Sequence, residues 1–204
     1  MFINRQDIVR NKAVKRIYVE AFAREDRMPF WLMQAMIKRQ GTQLLEYCEE
    51  DAVVGFVYLA YDEKLVFITY LAVDAKRRSK GVGSALLQEV KKAHPGKKII
   101  LSIEPCPDRS CSKVASQHSE ACCTDDLLGP RIPNKEQRLR RKAFYLRNNY
   151  VETGHLIKLG GKWQELIILG APFDGEELQE FFVKYSNGTM RPKIKKRVSQ
   201  KSDL

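Results

Sequence analysis

Between Leu65 and Leu87 the chain changes its periodicity once, and that change limits the folds open to it. Leu65-Val-Phe-Ile-Thr-Tyr-Leu-Ala-Val73 is rich in β-branched and aromatic residues and reads as a buried strand. It runs into a basic loop with glycines at 81 and 83, then into helical spacing through Leu86, Val90 and Ala93, which Pro95-Gly96 stops. A strand that leads through such a loop into a helix start suits phosphate. Glycine lets the backbone approach an anion, the first helical amides lack intrahelical partners, and the helix dipole adds a favourable field. Lys98-Ile-Ile-Leu-Ser-Ile103 then reads as a short buried strand, so a right-handed crossover with two parallel strands is expected.

The familiar phosphate fingerprints do not describe this loop. A dinucleotide fingerprint would place Gly or Ala where Leu86 stands, and a P-loop would end a longer spacing in Gly-Lys-Ser/Thr.

Elsewhere the pattern is regular. Residues 10–23 place Val14, Ile17, Tyr18 and Ala21 on one helix face, and a second helix opening at Pro29 is expected to turn Trp31, Leu32, Ala35 and Met36 inward. Residues 43–48, 53–59 and 65–73 read as a three-stranded antiparallel meander. Asn134 with Gln137 resembles a capping box for a helix with Leu139, Ala143, Leu146 and Tyr150 on its inner stripe. Gly160-Gly161 joins a hairpin of strands 151–159 and 163–169, and Asp174 with Glu177 caps a last helix through Leu178, Phe181 and Tyr185. No internal repeat is present.

With 204 residues, 44% of them hydrophobic, a single core is affordable. No apolar run approaches the ~20 residues of a membrane-spanning helix, and Met1-Phe2-Ile3-Asn4-Arg5 lacks the apolar run of a secretory leader, so a cytoplasmic protein with no membrane partner is expected. The formal charge of +11 draws polyanions, a phosphorylated cofactor among them. Part of that charge lies in Arg191-Pro-Lys-Ile-Lys-Lys-Arg197, read as a solvated tail over 187–204, so nucleic acid is not the expected partner. Five cysteines in an intracellular chain do not imply disulfides.

Arg78-Ser79-Lys80-Gly81-Val82-Gly83 resembles the Arg/Gln-x-x-Gly-x-Gly/Ala signature of the GNAT superfamily of acyltransferases, in the strand-to-helix context of that family. Ala143-Phe-Tyr-Leu-Arg-Asn-Asn-Tyr150 is similar to the family's Phe-Tyr-x-x-x-Gly-Phe segment, with Asn149 where Gly is usual, and the order of elements agrees from about residue 10 to 169. The resemblance implies an α/β (α+β) fold with a mixed, centrally splayed sheet flanked by helices. It implies one acyltransferase domain over 1–186, with a cysteine-rich insertion at about 105–133, and acetyl-coenzyme A as co-substrate. Backbone amides from Lys80 through Gly81, Val82 and Gly83 to Ser84 would hold the pyrophosphate. Arg78 and Ser79, with Arg77 beside them, lie at the same loop, and the backbone of Leu71 and Val73 would pair with the pantetheine arm as an added strand.

Acyl transfer to an amine needs a neutral nucleophile and a proton for the departing thiolate. By the resemblance, Tyr145 occupies the position that often protonates the thiolate, although a Tyr there can also simply pack at a helix–sheet boundary. Residues 66–70 carry no carboxylate, which leaves Glu104 as the base by elimination, or as a residue that orients the acceptor. Cys106, Cys111, His118 and Cys122 have spacings that could enclose zinc, but no standard motif matches, and a lid-like surface loop without metal is expected. The acceptor that the resemblance implies is an amine on a small molecule, peptide or protein, which the sequence does not name, and a homodimer is compatible with the sequence. The rival reading is a module that binds acyl-coenzyme A without turnover and engages nucleic acid through its basic surface.

Overall fold

The computed structural model describes residues 2–5, 12–50, 52–106 and 135–197. The chain divides into two compact units, Met1–Leu101 with Leu169–Arg191, and Ser102–Ile168 with Pro192–Leu204. The division falls within one strand.

In the first unit β1 (Phe2–Arg5), β2 (Thr42–Glu49), β3 (Ala52–Tyr61) and β4 (Leu65–Val73) pair antiparallel in sequence order. After α3 (Val82–Ala93) the chain returns as β5 (Lys98–Ile103), parallel to β4 as the crossover required. Side chains alternate across a strand, and β3 shows what each face receives. Phe56 and Tyr58 pack in a core with Val14, Ile17 and Tyr18 of α1 (Lys12–Ala21) and with Met33 and Ile37 of α2 (Phe30–Ile37). Gly55, on the opposite face, lies under α3: a Cβ there would come within 3.1 Å of Val82 Cγ1 and 3.2 Å of Leu86 Cδ1. Any larger residue would push the helix start away from the sheet.

The inner face of α2 differs from expectation. Met33 and Ile37 are buried, whereas Trp31 is 68% exposed, Ala35 is exposed, and Leu32 and Met36 are half-buried. Phe-Trp-Leu-Met-Gln-Ala-Met-Ile is apolar nearly all round, so its spacing does not fix a phase. The phase follows from the preceding segment, where the Tyr18 hydroxyl donates to Met28 O at 3.1 Å and Met28 N donates to the Tyr70 hydroxyl at 2.9 Å. In α3, Val82 and Leu87 join Leu86 and Val90 in the core, and Ala93 is exposed. α5 (Gly175–Tyr185) is capped by Asp174, whose carboxylate accepts from the amides of Glu176 and Glu177, and it buries Leu178, Phe181 and Phe182.

In the second unit β6 (Val151–Leu159) and β7 (Lys162–Leu169) form the hairpin expected at Gly160-Gly161, and the outer side of β6 carries β8 (Ile194–Lys196). This corrects the expectation of a flexible tail for residues 194–196. Ile194 sits opposite Ile157, and Arg197 reaches the carboxylate of the buried Glu165. α4 (Lys135–Arg147) also departs from the expected stripe: Tyr145 is buried, while Leu139, Ala143 and Leu146 are half-buried. The side of α4 that turns inward is ionic, with Arg138, Arg141 and Lys142 pairing to Glu104 and Glu165. Asn149 ends the segment at φ 66°, the left-handed conformation in which Asn replaces Gly most readily. Asn134, Cys111, His118, Cys122 and Cys123 lie outside the described residues.

Candidate functional site

The ladder between β4 and β5 runs from Leu65↔Lys98 to Ile68↔Leu101 and stops, although β4 continues to Val73. On the other side, β4 stays paired with β3 through Gly55↔Val73, and the register slips between Tyr58 and Leu59, leaving Thr69 as an extra residue. Such a bulge bends its strand and increases the local twist. Among the described residues, no strand of the first unit pairs with the β5 side of β4 beyond Ile68.

That edge has a defined direction. Asp74 N donates to Val54 O at 2.8 Å, so the amide of residue 74 points toward β3. Backbone groups alternate along a strand, and those of Leu71 and Val73 therefore point away from β3, toward the unpaired side. Consistent with this, Val73 O accepts from Arg78 Nε at 3.3 Å.

Asp74 anchors the loop that follows. Its carboxylate caps the single 3₁₀ turn Ala75–Arg77 by accepting from Lys76 N at 2.9 Å and forms an ion pair with Arg16 of α1. Arg77 pairs with Glu49 at 3.5 Å. Ser79 takes φ 62° and Gly81 takes φ 83°, so the chain turns twice through left-handed geometry before α3 begins. A Cβ at Gly81 would meet nothing within 4 Å. Ala85 N donates to Gly81 O at 2.9 Å as the first intrahelical bond. The amides of Val82, Gly83 and Ser84 precede it and have no protein acceptor among the described residues. Arg78, Ser79, Lys80 and Gly81 are exposed, and Val82 is buried as the foot of the helix. The loop thus offers free amides at a helix N-terminus, a cationic rim and an open approach, which together fit a pyrophosphate.

The Asp74 carboxyl is held below its ordinary range, first by its hydrogen bond to Arg16 and then by the Lys76 amide. A depressed pKa adds stability above the unfolded value of about 3.9, and that stability is lost as pH falls through the folded value. Melting temperatures of the wild type and Asp74→Asn are therefore expected to differ near neutrality and to converge below about pH 4; a gap independent of pH would assign the effect to packing.

In the second unit Glu104 follows β5 directly, with one carboxylate oxygen 3.0 Å from Arg141 Nη1 and the other 3.6 Å from Arg138 Nη2. Both oxygens face guanidinium groups, so the carboxylate is fixed in direction. Tyr145 is 7% exposed and packs edge-on against Phe144 and Tyr150, with ring centroids 5.1 and 5.9 Å away. Burial pushes its phenol up to about 12, which the charge of Arg141 partly offsets. Its hydroxyl makes no hydrogen bond among the described residues. Cys106 is fully buried, and burial with the neighbouring Glu165 carboxylate raises its thiol to about 11. Among the described residues no cluster of three or more His, Cys, Asp or Glu side chains could hold a metal ion.

The sequence singles out the loop, Tyr145 and Glu104 as candidates, but not Gly55, the Thr69 bulge or the Arg16–Asp74 pair. Gly55 had a faint signal, as a glycine interrupting an otherwise continuous apolar strand.

Residues 11–111 match the model of the acetyltransferase (GNAT) family. By that segment and by its fold, the chain belongs to the GNAT acetyltransferases. Among solved structures, a GNAT-family protein from Bacteroides thetaiotaomicron aligns at a TM-score of 0.57 and 16% identity, covering 86% of this chain and 90% of its own. The ribosomal-protein alanine N-acetyltransferase of Escherichia coli aligns at 0.53 and 11% identity, over 86% of this chain and 97% of its own. An aminoglycoside 6'-N-acetyltransferase in complex with coenzyme A aligns at 0.52 and 16% identity, over 84% of this chain and 99% of its own. No curated protein matches the chain in sequence. No helix among the described residues is long and apolar enough to cross a membrane.

Proposed function

We propose that the chain is an N-acetyltransferase that uses acetyl-coenzyme A to acetylate a primary amine of a small molecule or peptide, within one acyltransferase domain that takes in β8. The observation that carries this reading is the joint arrangement of β4 and α3. Free amides at Val82, Gly83 and Ser84 suit a pyrophosphate, with Arg78 and Lys80 at the rim, and the outward backbone groups of Leu71 and Val73 suit the amide-bearing pantetheine arm. The aminoglycoside 6'-N-acetyltransferase bound to coenzyme A and a GNAT family acetyltransferase of Elizabethkingia anophelis bound to acetyl-coenzyme A, both similar in fold, support the choice of ligand.

Acetyl-coenzyme A supplies the acetyl group and a thiol leaving group. In the transfer the acyl carbon exchanges its bond to sulfur for one to nitrogen, the amine gives up a proton, and the sulfur takes one up. Tyr145 is assigned as the proton donor, since a phenol raised to about 12 keeps its proton at any working pH. Glu104 is assigned to the acceptor, either receiving the amine proton through water or orienting the amine, and Arg138 and Arg141 fix its direction.

Gly81→Glu tests the cofactor site. Two unit charges about 4 Å apart at an effective dielectric of about 20 repel by about 4 kcal/mol, so a loss of coenzyme A affinity of two to three orders of magnitude is expected by calorimetry. Gly81→Ala carries the left-handed strain without the charge and separates the two causes. A folded Gly81→Glu protein that binds coenzyme A like the wild type would sink the assignment.

A further inference from the structure

We propose that the β6–β7 hairpin and β8 form a platform for single-stranded nucleic acid, built from Lys158, Lys193 and Lys195 around Trp163. The residues come together through register. Lys158 sits opposite Trp163, and Leu156 opposite Lys195. Lys158 N donates to Lys193 O at 2.9 Å, which carries the β6–β8 ladder one residue further. Because strand side chains alternate, Lys158, Trp163, Lys193 and Lys195 share one face. The Lys195 ammonium lies 4.5 Å from the centroid of the Trp163 ring and that of Lys158 lies 5.9 Å away.

These cations have no carboxylate partner among the described residues. The acids of the neighbouring strands are already engaged, Glu152 by Lys142 and Glu165 by Lys142 and Arg197. Three lysines therefore crowd one exposed face of a sheet, where like charges set opposite each other are destabilising. A ligand with repeated negative charge relieves that repulsion. Lys193 and Lys195, two residues apart on one strand, are separated by about 6.6 Å of backbone rise, which suits separate phosphates rather than one small anion.

The half-buried Trp163 decides between polyanions. An acidic peptide would use the lysines alone, whereas an unpaired base can also stack on an indole. The ammonium groups now lying on the ring would move to phosphates and free its face. A duplex, with its bases stacked internally, would make no such use of the ring. The expectation that nucleic acid is not a partner rested on a solvated tail, and β8 removes that premise for residues 194–196.

The chain has two tryptophans, so Trp31→Phe leaves Trp163 as the sole tryptophan, excited selectively above the absorption of the eight tyrosines. This variant, saturated with coenzyme A to block the Arg78 loop, is titrated with a single-stranded RNA oligonucleotide of mixed sequence. Quenching of Trp163 emission is expected, with affinity falling linearly in log salt. Changing Lys158, Lys193 and Lys195 together to Gln, in a protein whose melting temperature is unchanged, should reduce the magnitude of that slope by about 2, at about 0.7 per phosphate contact. Trp163→Ala, followed by the anisotropy of end-labelled RNA, should weaken binding by about 5- to 150-fold, the range for one stacked base. The proposal is overturned if RNA does not bind, if coenzyme A displaces it, if the lysine variant binds with an unchanged slope, or if Trp163 emission does not respond. Preference for a polyglutamate peptide or for duplex of the same sequence would overturn it equally, in favour of an acidic protein or of shape-independent attraction.

Discussion

Tyr145→Phe is expected to lower acetyl transfer by about 10²- to 10⁴-fold, the range for a positioned general acid, while coenzyme A affinity stays near that of the wild type. The ring's packing against Phe144 and Tyr150 is preserved, so the change isolates the hydroxyl. The loss should fall near the lower end. A phenol at about 12 is a weaker acid than an ordinary thiol at about 8.5, so it assists a departing sulfur by hydrogen bonding as charge develops more than by completed transfer. The same shift fixes the pH dependence. A folded-state pKa raised above the ordinary ~10 keeps the donor protonated throughout the neutral and mildly alkaline range, so the rate profile of Tyr145→Phe should be lowered without changing shape there. An alkaline limb present in the wild type and absent from the variant would contradict the raised value. Unchanged turnover would make Tyr145 structural, and weaker affinity with unchanged turnover at saturation would assign the hydroxyl to binding. Glu104→Gln, run beside it, separates the two roles of that carboxylate: loss of turnover marks a base, and a raised KM alone marks orientation of the acceptor.

The candidate phosphate loop is legible because its signal is local. A strand, a pair of arginines, glycines three and five residues past the second of them, and a helix start specify free amides whatever the rest of the chain does. What makes the loop useful is not local. Gly55 belongs to a different strand and matters because Val82 and Leu86 rest on it. Asp74 reads as a turn residue in sequence, and only folding brings Arg16 to it across 58 positions. The bulge at Thr69 is a matter of register between β3 and β4, and apolar alternation on a strand buried on both faces carries little register information. Trp31 failed for a related reason, since an apolar octapeptide has no polar face to set its phase. Charge misled in the tail: the run from Arg191 to Arg197 has the composition of a solvated segment, yet Ile194 and the reach of Arg197 fold its middle onto β6.

Arg197→Ala is expected to destabilise the fold by about 3 kcal/mol, the lower end of the range for removing one partner of a buried ion pair. Glu165 is 4% exposed, and its carboxylate is held by Arg197, by Lys142 at 2.9 Å and by the amide of Cys106 at 2.8 Å. Arg197 also donates to Cys106 O at 2.7 Å, so one guanidinium ties β8 both to β7 and to the segment that leaves β5. Its loss leaves Lys142 and one amide around a buried negative charge, with Lys142 also bound to Glu152. The incomplete compensation puts the cost near 3 rather than 5 kcal/mol, a fall in melting temperature of about 6 to 12 °C for a protein of this size. Added salt should change this difference little, because the pair is shielded from solvent. The double variant Arg197→Met with Glu165→Leu discriminates the cause. If the cost arises from an uncompensated buried carboxylate, removing both charges should restore much of the stability that Arg197→Ala loses. If the double variant is as unstable as the single one, the role of Arg197 lies in fastening β8 through Cys106 O, and deletion of residues 192–204 should then cost no more than Arg197→Ala alone.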